Sequence, residues 1–119
     1  MKRILIVDDE LDVLKVVHFR LIKMGYEVVI AENGQEGLDK ARELKPDLIL
    51  MDLSMPFIRG DELCRRIKAD PATQHIPVII MTASIKGAAD DLTATGADEK
   101  ILKPFDPEDL AEKIKKLIN

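Results

Sequence analysis

Apolar residues in this chain come in five short runs, and each run stops on polar or charged residues. The first extends from Lys2 to Val7 and ends on Asp8-Asp9-Glu10, without the polar alternation of a half-exposed strand. The second, Tyr26 to Ala31, has Tyr26 and Glu27 at its start and suits a sheet edge. The third, Asp47-Leu-Ile-Leu-Met-Asp52, is apolar on consecutive positions, stops on a carboxylate and turns through Ser54 into Pro56. Such a strand is buried on both faces, as happens in a parallel sheet covered by helices. The fourth, Val78 to Met81, terminates on Thr82-Ala83-Ser84, and the brief fifth, Glu99 to Leu102, is stopped by Lys103-Pro104.

Between these runs the spacing changes to the helical period. Leu11, Leu14, Val17, Leu21 and Met24 recur on one face until Gly25 stops the helix. Asn33-Gly34 opens a second helix with Leu38, Ala41 and Leu44 inward. Gly60 and Asp61 begin a third carrying Leu63 and Ile67, which Asp70-Pro71 ends. A helix over Ile85 to Thr95 is the weakest former, given Gly87, Thr93 and Thr95, and is the first candidate for a mobile element. Pro107 starts the last helix, lined by Leu110, Ile114, Leu117 and Ile118.

Strand and helix thus alternate five times, which predicts an α/β fold: a doubly wound five-stranded parallel sheet with right-handed crossovers and helices on both faces. The first, third and fourth runs are the most apolar and belong in the middle. The order is then 2-1-3-4-5, and the winding reverses between the first and third strands, where a crevice opens at the carboxyl edge.

Length narrows the picture to one domain over residues 1–119. With 46% hydrophobic and 34% charged residues the composition is that of a folded globular chain. A formal charge of -4 gives no general attraction to nucleic acid or to an acidic membrane, so neither is an expected direct partner. Cys64 is the only cysteine, so an internal disulfide is excluded; beside Leu63 and Ile67 it reads as a packed thiol. The first apolar run is shorter than the about 7 to 15 residues of a secretory core, and the expected location is cytoplasmic.

The strand ends supply a definite set of groups at one edge: Asp8 and Asp9, Asp52, Thr82 with Ser84, and Lys103. Each alone has a plainer reading: a solvated cap for Asp8-Asp9 (with Asp12 competing), a strand end for Thr82, a surface lysine for Lys103. Their joint placement on four strand ends is what those separate readings leave unexplained. Converging carboxylates repel, by about 4 kcal/mol for a pair 4 Å apart at an effective dielectric near 20, so a positive group must answer them. An all-oxygen site that keeps waters suits Mg²⁺. A carboxylate can also act as a nucleophile toward phosphorus, with a metal, a cation and a hydroxyl stabilising the charge on the transferring group. Asp52 would be the nucleophile, Asp9 and Asp8 would hold the metal directly and through water, and Thr82 and Lys103 would each take a phosphoryl oxygen.

These motifs, Ile-Leu-Ile-Val-Asp8-Asp9-Glu10, Asp52-Leu-Ser-Met-Pro56 with Gly60, Met-Thr82-Ala83, Gly96-Ala-Asp98 and Lys103-Pro104-Phe105, resemble the receiver domain of two-component response regulators from end to end. That family is flavodoxin-like and known for the same 2-1-3-4-5 order. The resemblance implies that Asp52 accepts a phosphoryl group from a sensor kinase phosphohistidine or a phosphotransfer domain. Mg²⁺ would be held by Asp9, Asp52 and the backbone carbonyl of Ser54, with Asp8 assisting through water. It further implies a cis peptide between Lys103 and Pro104, and a switch on the face made by the 85–95 helix, the fifth strand and the last helix. That face would meet a downstream effector or detached output domain, or a second copy in a phosphorylation-dependent dimer. The chain would be a phosphoacceptor assisting its own phosphorylation and dephosphorylation rather than a turnover enzyme.

One position departs from the family pattern. Three residues before Lys103, where an aromatic is usual, stands Lys100, so the output face is expected to be read through charge, with some of Lys86, Lys113 and Lys116. Three other functions compete. A Mg²⁺-dependent phosphatase working through a phosphoaspartate places its nucleophile on the first strand with a second aspartate two residues on, where this chain has Glu10. A flavin carrier would find Asp8-Asp9-Glu10 repelling its phosphate and little to stack on at 3% aromatic content. A scaffold that is never phosphorylated would not need the complete acid set.

Overall fold

The computed structural model describes residues 1–55, 57–82, 96–103 and 105–118. The expected 85–95 helix, Ala83-Ser84, Lys86 and the peptide into Pro104 lie outside those residues. The elements are β1 (Arg3–Val7), α1 (Leu11–Lys23), β2 (Glu27–Ala31), α2 (Gly34–Leu44), β3 (Leu48–Asp52), α3 (Gly60–Ala69), β4 (Val78–Thr82), β5 (Glu99–Leu102) and a C-terminal helix (Pro107–Ile118). All strand pairings are parallel, in the order β2-β1-β3-β4-β5. The most apolar strands do occupy the centre.

Alternate strand residues feed two cores, the period-2 consequence of pleating. Leu5, Val7, Ile49, Met51, Val78 and Ile80 pack on one face with Leu38 and Ala41 of α2 and Leu63, Cys64 and Ile67 of α3. Ile4, Ile6, Leu48, Leu50, Ile79 and Met81 pack on the other with Val17 and Leu21 of α1 and Leu110 and Ile114 of the C-terminal helix. Each fully buried Leu or Ile contributes about 1.5–3 kcal/mol by leaving water. Tyr26, expected to start an edge strand, instead lies before β2 and is buried in the second core. Cys64 is fully buried, as its neighbours suggest.

Helix ends follow local chemistry. The Asn33 side chain accepts a hydrogen bond from Glu36 N at 2.8 Å and caps α2. Asp106 Oδ1 accepts from Glu108 N at 2.8 Å ahead of the C-terminal helix. Arg20 of α1 pairs with Glu108, tying the two helices of that face. No described helix is long and apolar enough to cross a membrane.

At the amino edge of the sheet one carboxylate joins three elements. Asp98 Oδ2 accepts from Val78 N at 2.8 Å and from Lys68 Nζ at 2.9 Å, and Lys68 also donates to Ile76 O at 2.8 Å. Asp98→Ala leaves Val78 N without this acceptor and removes one of the partners of Lys68, at about 1–3 kcal/mol. The expected result is a melting temperature lower by several degrees, measured by calorimetry, with the residues of the opposite edge undisturbed.

Candidate functional site

Backbone hydrogen bonds carry the ladder one residue past the strands and so fix the side chains at the carboxyl edge. Asp8 N donates to Ala31 O at 3.1 Å, Leu53 N to Met81 O at 2.9 Å, and Lys103 N to Thr82 O at 2.7 Å. Asp52, the last residue of β3, lies beside Met81 in register, and Thr82 stands one residue further along the neighbouring strand. Asp8, Asp52 and Thr82 are buried there, while Ser54 is exposed two residues beyond Asp52.

Lys103 reaches two carboxylates at once. Its Nζ lies 3.1 Å from Asp52 Oδ1 and 3.4 Å from Asp8 Oδ2, with its side chain 16% exposed. Asp8 Oδ1 accepts from Glu10 N at 2.9 Å. Asp8, Asp9, Glu10 and Asp52 each bring a carboxylate oxygen to within 4.8 Å of the others. Asp8, Asp9, Asp52 and Lys103 therefore converge as the sequence suggests. Glu10 joins them although it was not an expected ligand; its place at the end of the acidic triplet was the available signal.

Asp52 Oδ2 is buried and has no hydrogen-bond partner among the described residues. A buried carboxylate oxygen left unmet costs free energy, and among the described residues one lysine faces four acids. Both features fit a hard divalent cation, which takes oxygen ligands and would satisfy that atom.

The same geometry sets the proton affinities. Burial raises the Asp52 pKa, Lys103 works against it, and Glu10 and Asp9 add to the rise. Burial likewise raises Asp8, opposed by the Glu10 N–H and by Lys103. Burial lowers Lys103, but Asp52 and Asp8 more than offset this and its pKa ends above the ordinary value. In metal-free protein, between the ordinary aspartate pKa and these raised values, the folded state holds more protons than the unfolded one. Stability there falls as pH rises. Asp52→Asn is therefore expected to raise the melting temperature at neutral pH in EDTA and to flatten that slope. A lower melting temperature for the variant would contradict the assignment of burial as the dominant cause.

On the neighbouring edge, β5 and the C-terminal helix border a groove of about 640 Å³. Lys100, Lys113 and Lys116 line it, but Glu99, Asp109 and Glu112 interleave with them, and Lys113 Nζ lies 3.8 Å from Glu99 Oε1. The face is thus mixed in charge, not simply basic.

The family model of the response regulator receiver domain matches residues 4–115. The chain belongs to that family. Its sequence is 42% identical to the phosphate regulon transcriptional regulatory protein PhoB of Pseudomonas aeruginosa over 98% of this chain and 52% of that protein. It is 37% identical to the DNA-binding dual master transcriptional regulator RpaA of Synechocystis over 99% and 49%. The chain spans about half the length of the curated relatives it matches. Among solved structures it resembles the chemotaxis response regulator CheY4 of Vibrio cholerae (TM-score 0.91, 30% identity, 98% of each chain). It also resembles the receiver domain of sensor histidine kinase PA1611 of Pseudomonas aeruginosa, which carries a magnesium ion in its active-site cleft (TM-score 0.92, 27% identity, 98% and 97% covered). Receiver membership fixes the broad function as two-component signalling and does not favour the phosphatase reading.

Proposed function

We propose that this receiver takes a phosphoryl group onto Asp52 from a phosphohistidine on a sensor kinase or phosphotransfer domain. The observation that carries this is Asp52 itself: buried at the end of the central strand, one oxygen on Lys103 and the other without a partner among the described residues, beside three further acids. A carboxylate oxygen forms the new P–O bond as the P–N bond breaks, and the imidazole nitrogen keeps the electron pair. Lys103, between Asp52 and Asp8, would pair with a phosphoryl oxygen, and Thr82, at the end of the adjacent strand, would offer its hydroxyl. Asp9, Asp52 and the Ser54 carbonyl would hold Mg²⁺, with Asp8 acting through water. When bound, the ion neutralises charge shared between acceptor and phosphoryl oxygens.

Phosphorylation would bias the face that includes β5 and the C-terminal helix, read by a downstream effector, an output domain or a second copy. Burial of the mixed-charge groove around Lys100 is the expected readout. Incubation with acetyl phosphate and Mg²⁺ tests the reading by intact mass. The wild type is expected to gain one phosphoryl group, and to gain none in EDTA. Asp52→Ala is expected to gain none in either. Steady release of phosphate from a generic phosphomonoester would point to a turnover enzyme instead.

A further inference from the structure

The geometry points to Phe57 as a docking residue for the protein that delivers the phosphoryl group, an inference that rests on the reading of Asp52 above. Phe57 lies five residues after Asp52, in the loop that leaves β3 for α3. Its side chain is 100% exposed and its backbone is left-handed, with φ 67°. Only two non-glycine residues among those described have positive φ, and the other, Lys45, ends α2 as a left-handed cap. An aromatic residue is a costly choice for this backbone, where glycine or asparagine fits with less strain.

Nothing in the fold repays that cost, because the exposed ring fills no core. Its described neighbours in the loop are anchored. Met55 is buried and Ile58 is half-buried against Gly34, where a Cβ would stand 2.7 Å from Ile58 Cβ. Gly60 N donates to Leu53 O at 2.9 Å and closes the loop beneath. The ring thus stands out between a buried Met55 and a half-buried Ile58. Backbone strain that persists at a site mouth is a pointer to function there.

Position decides the occupant. Asp52 is only 3% exposed, so a donor must reach it over the carboxyl edge of the sheet. A small phosphodonor can pass the rim without touching it. A folded donor carrying phosphohistidine has to rest on the rim loops, and the loop directly continuous with the acceptor strand is the one bearing Phe57. Aromatic rings that enter a pocket on a partner are the typical anchors of protein interfaces. The donor surface beside its histidine is accordingly apolar, shaped to receive one ring.

The test compares wild type with Phe57→Gly and Phe57→Asn using two phosphodonors. One is acetyl phosphate; the other is an autophosphorylated sensor-kinase cytoplasmic region, chosen from a panel as the fastest donor to wild type. Both variants are expected to melt at or above the wild-type temperature and to keep acetyl phosphate labelling within about twofold. Transfer from the kinase is expected to fall about tenfold or more, as for loss of an aromatic anchor. Unchanged kinase transfer would overturn the inference. So would an equal fall with both donors, which would place the effect at Asp52 itself. Altered self-association in sedimentation with unchanged transfer would assign the ring to a second copy and likewise overturn it. Wild type that accepts phosphoryl from neither donor would instead overturn the reading of Asp52.

Discussion

Gly60→Ala is expected to damage both stability and phosphoryl uptake, because the first turn of α3 lies against the backbone that carries the acceptor. A Cβ at position 60 would overlap the Asp52 carbonyl oxygen and stand 2.8 Å from Leu53 Cα and 2.9 Å from Asp52 C. The obstacle is backbone, so no rotamer change relieves it. Overpacking of this kind costs about 1–3 kcal/mol and sometimes more. The relief open to the chain is a shift of β3's end or of α3, and Gly60 N, now bonded to Leu53 O, would move with it. A displacement of about 1 Å at a reacting group can cost about a hundredfold in rate. Acetyl phosphate labelling followed by mass, beside thermal unfolding, checks both parts. A variant that folds and labels like wild type would show that the Asp52 backbone is not held as described.

Lys103→Met is expected to be the most damaging change at the site itself. Without the ammonium group, Asp8 and Asp52 remain buried with no cation between them. Removing one partner of a buried charge pair costs about 3–5 kcal/mol, and the partial exposure of Lys103 puts this case toward the lower end. The carboxylates have an escape, since a proton on either one removes the repulsion. The loss should therefore be large at neutral pH and shrink as pH falls, and saturating Mg²⁺ should restore part of it by binding only the folded state. Melting temperatures across pH, with EDTA and with Mg²⁺, test this. A loss independent of both pH and Mg²⁺ would mean that Lys103 matters for packing and not for charge.

The strands and their order were legible because burial on both faces leaves a local mark, a run such as Leu48–Met51 with no polar interruption. Asp52, Asp8, Asp9 and Lys103 were legible for a related reason: each directly ends or follows such a run, so topology alone brings them to one edge. The second run is the edge strand its pattern suggests, but β2 begins at Glu27, and Tyr26 stands just before it with its ring in the second core, a tertiary contact with no local period. Gly60 was read as a helix start, whereas its tight approach to Asp52 depends on how the intervening loop folds back. Phe57 gave no signal, since nothing in the pattern of apolar residues announces a left-handed backbone under an aromatic side chain. The mixed charge of the β5 groove needed the C-terminal helix to be set beside the strand before its acids could be matched to the lysines.

The most direct measurement traps the acyl phosphate chemically. After treatment with acetyl phosphate and Mg²⁺, borohydride reduction converts a phosphorylated aspartate to homoserine, which peptide mass spectrometry locates. Homoserine at position 52 alone, and none when Mg²⁺ is chelated, is the result that follows from the buried carboxylate beside Lys103. Homoserine at position 8 or 9, or its formation at 52 without the metal, would contradict it.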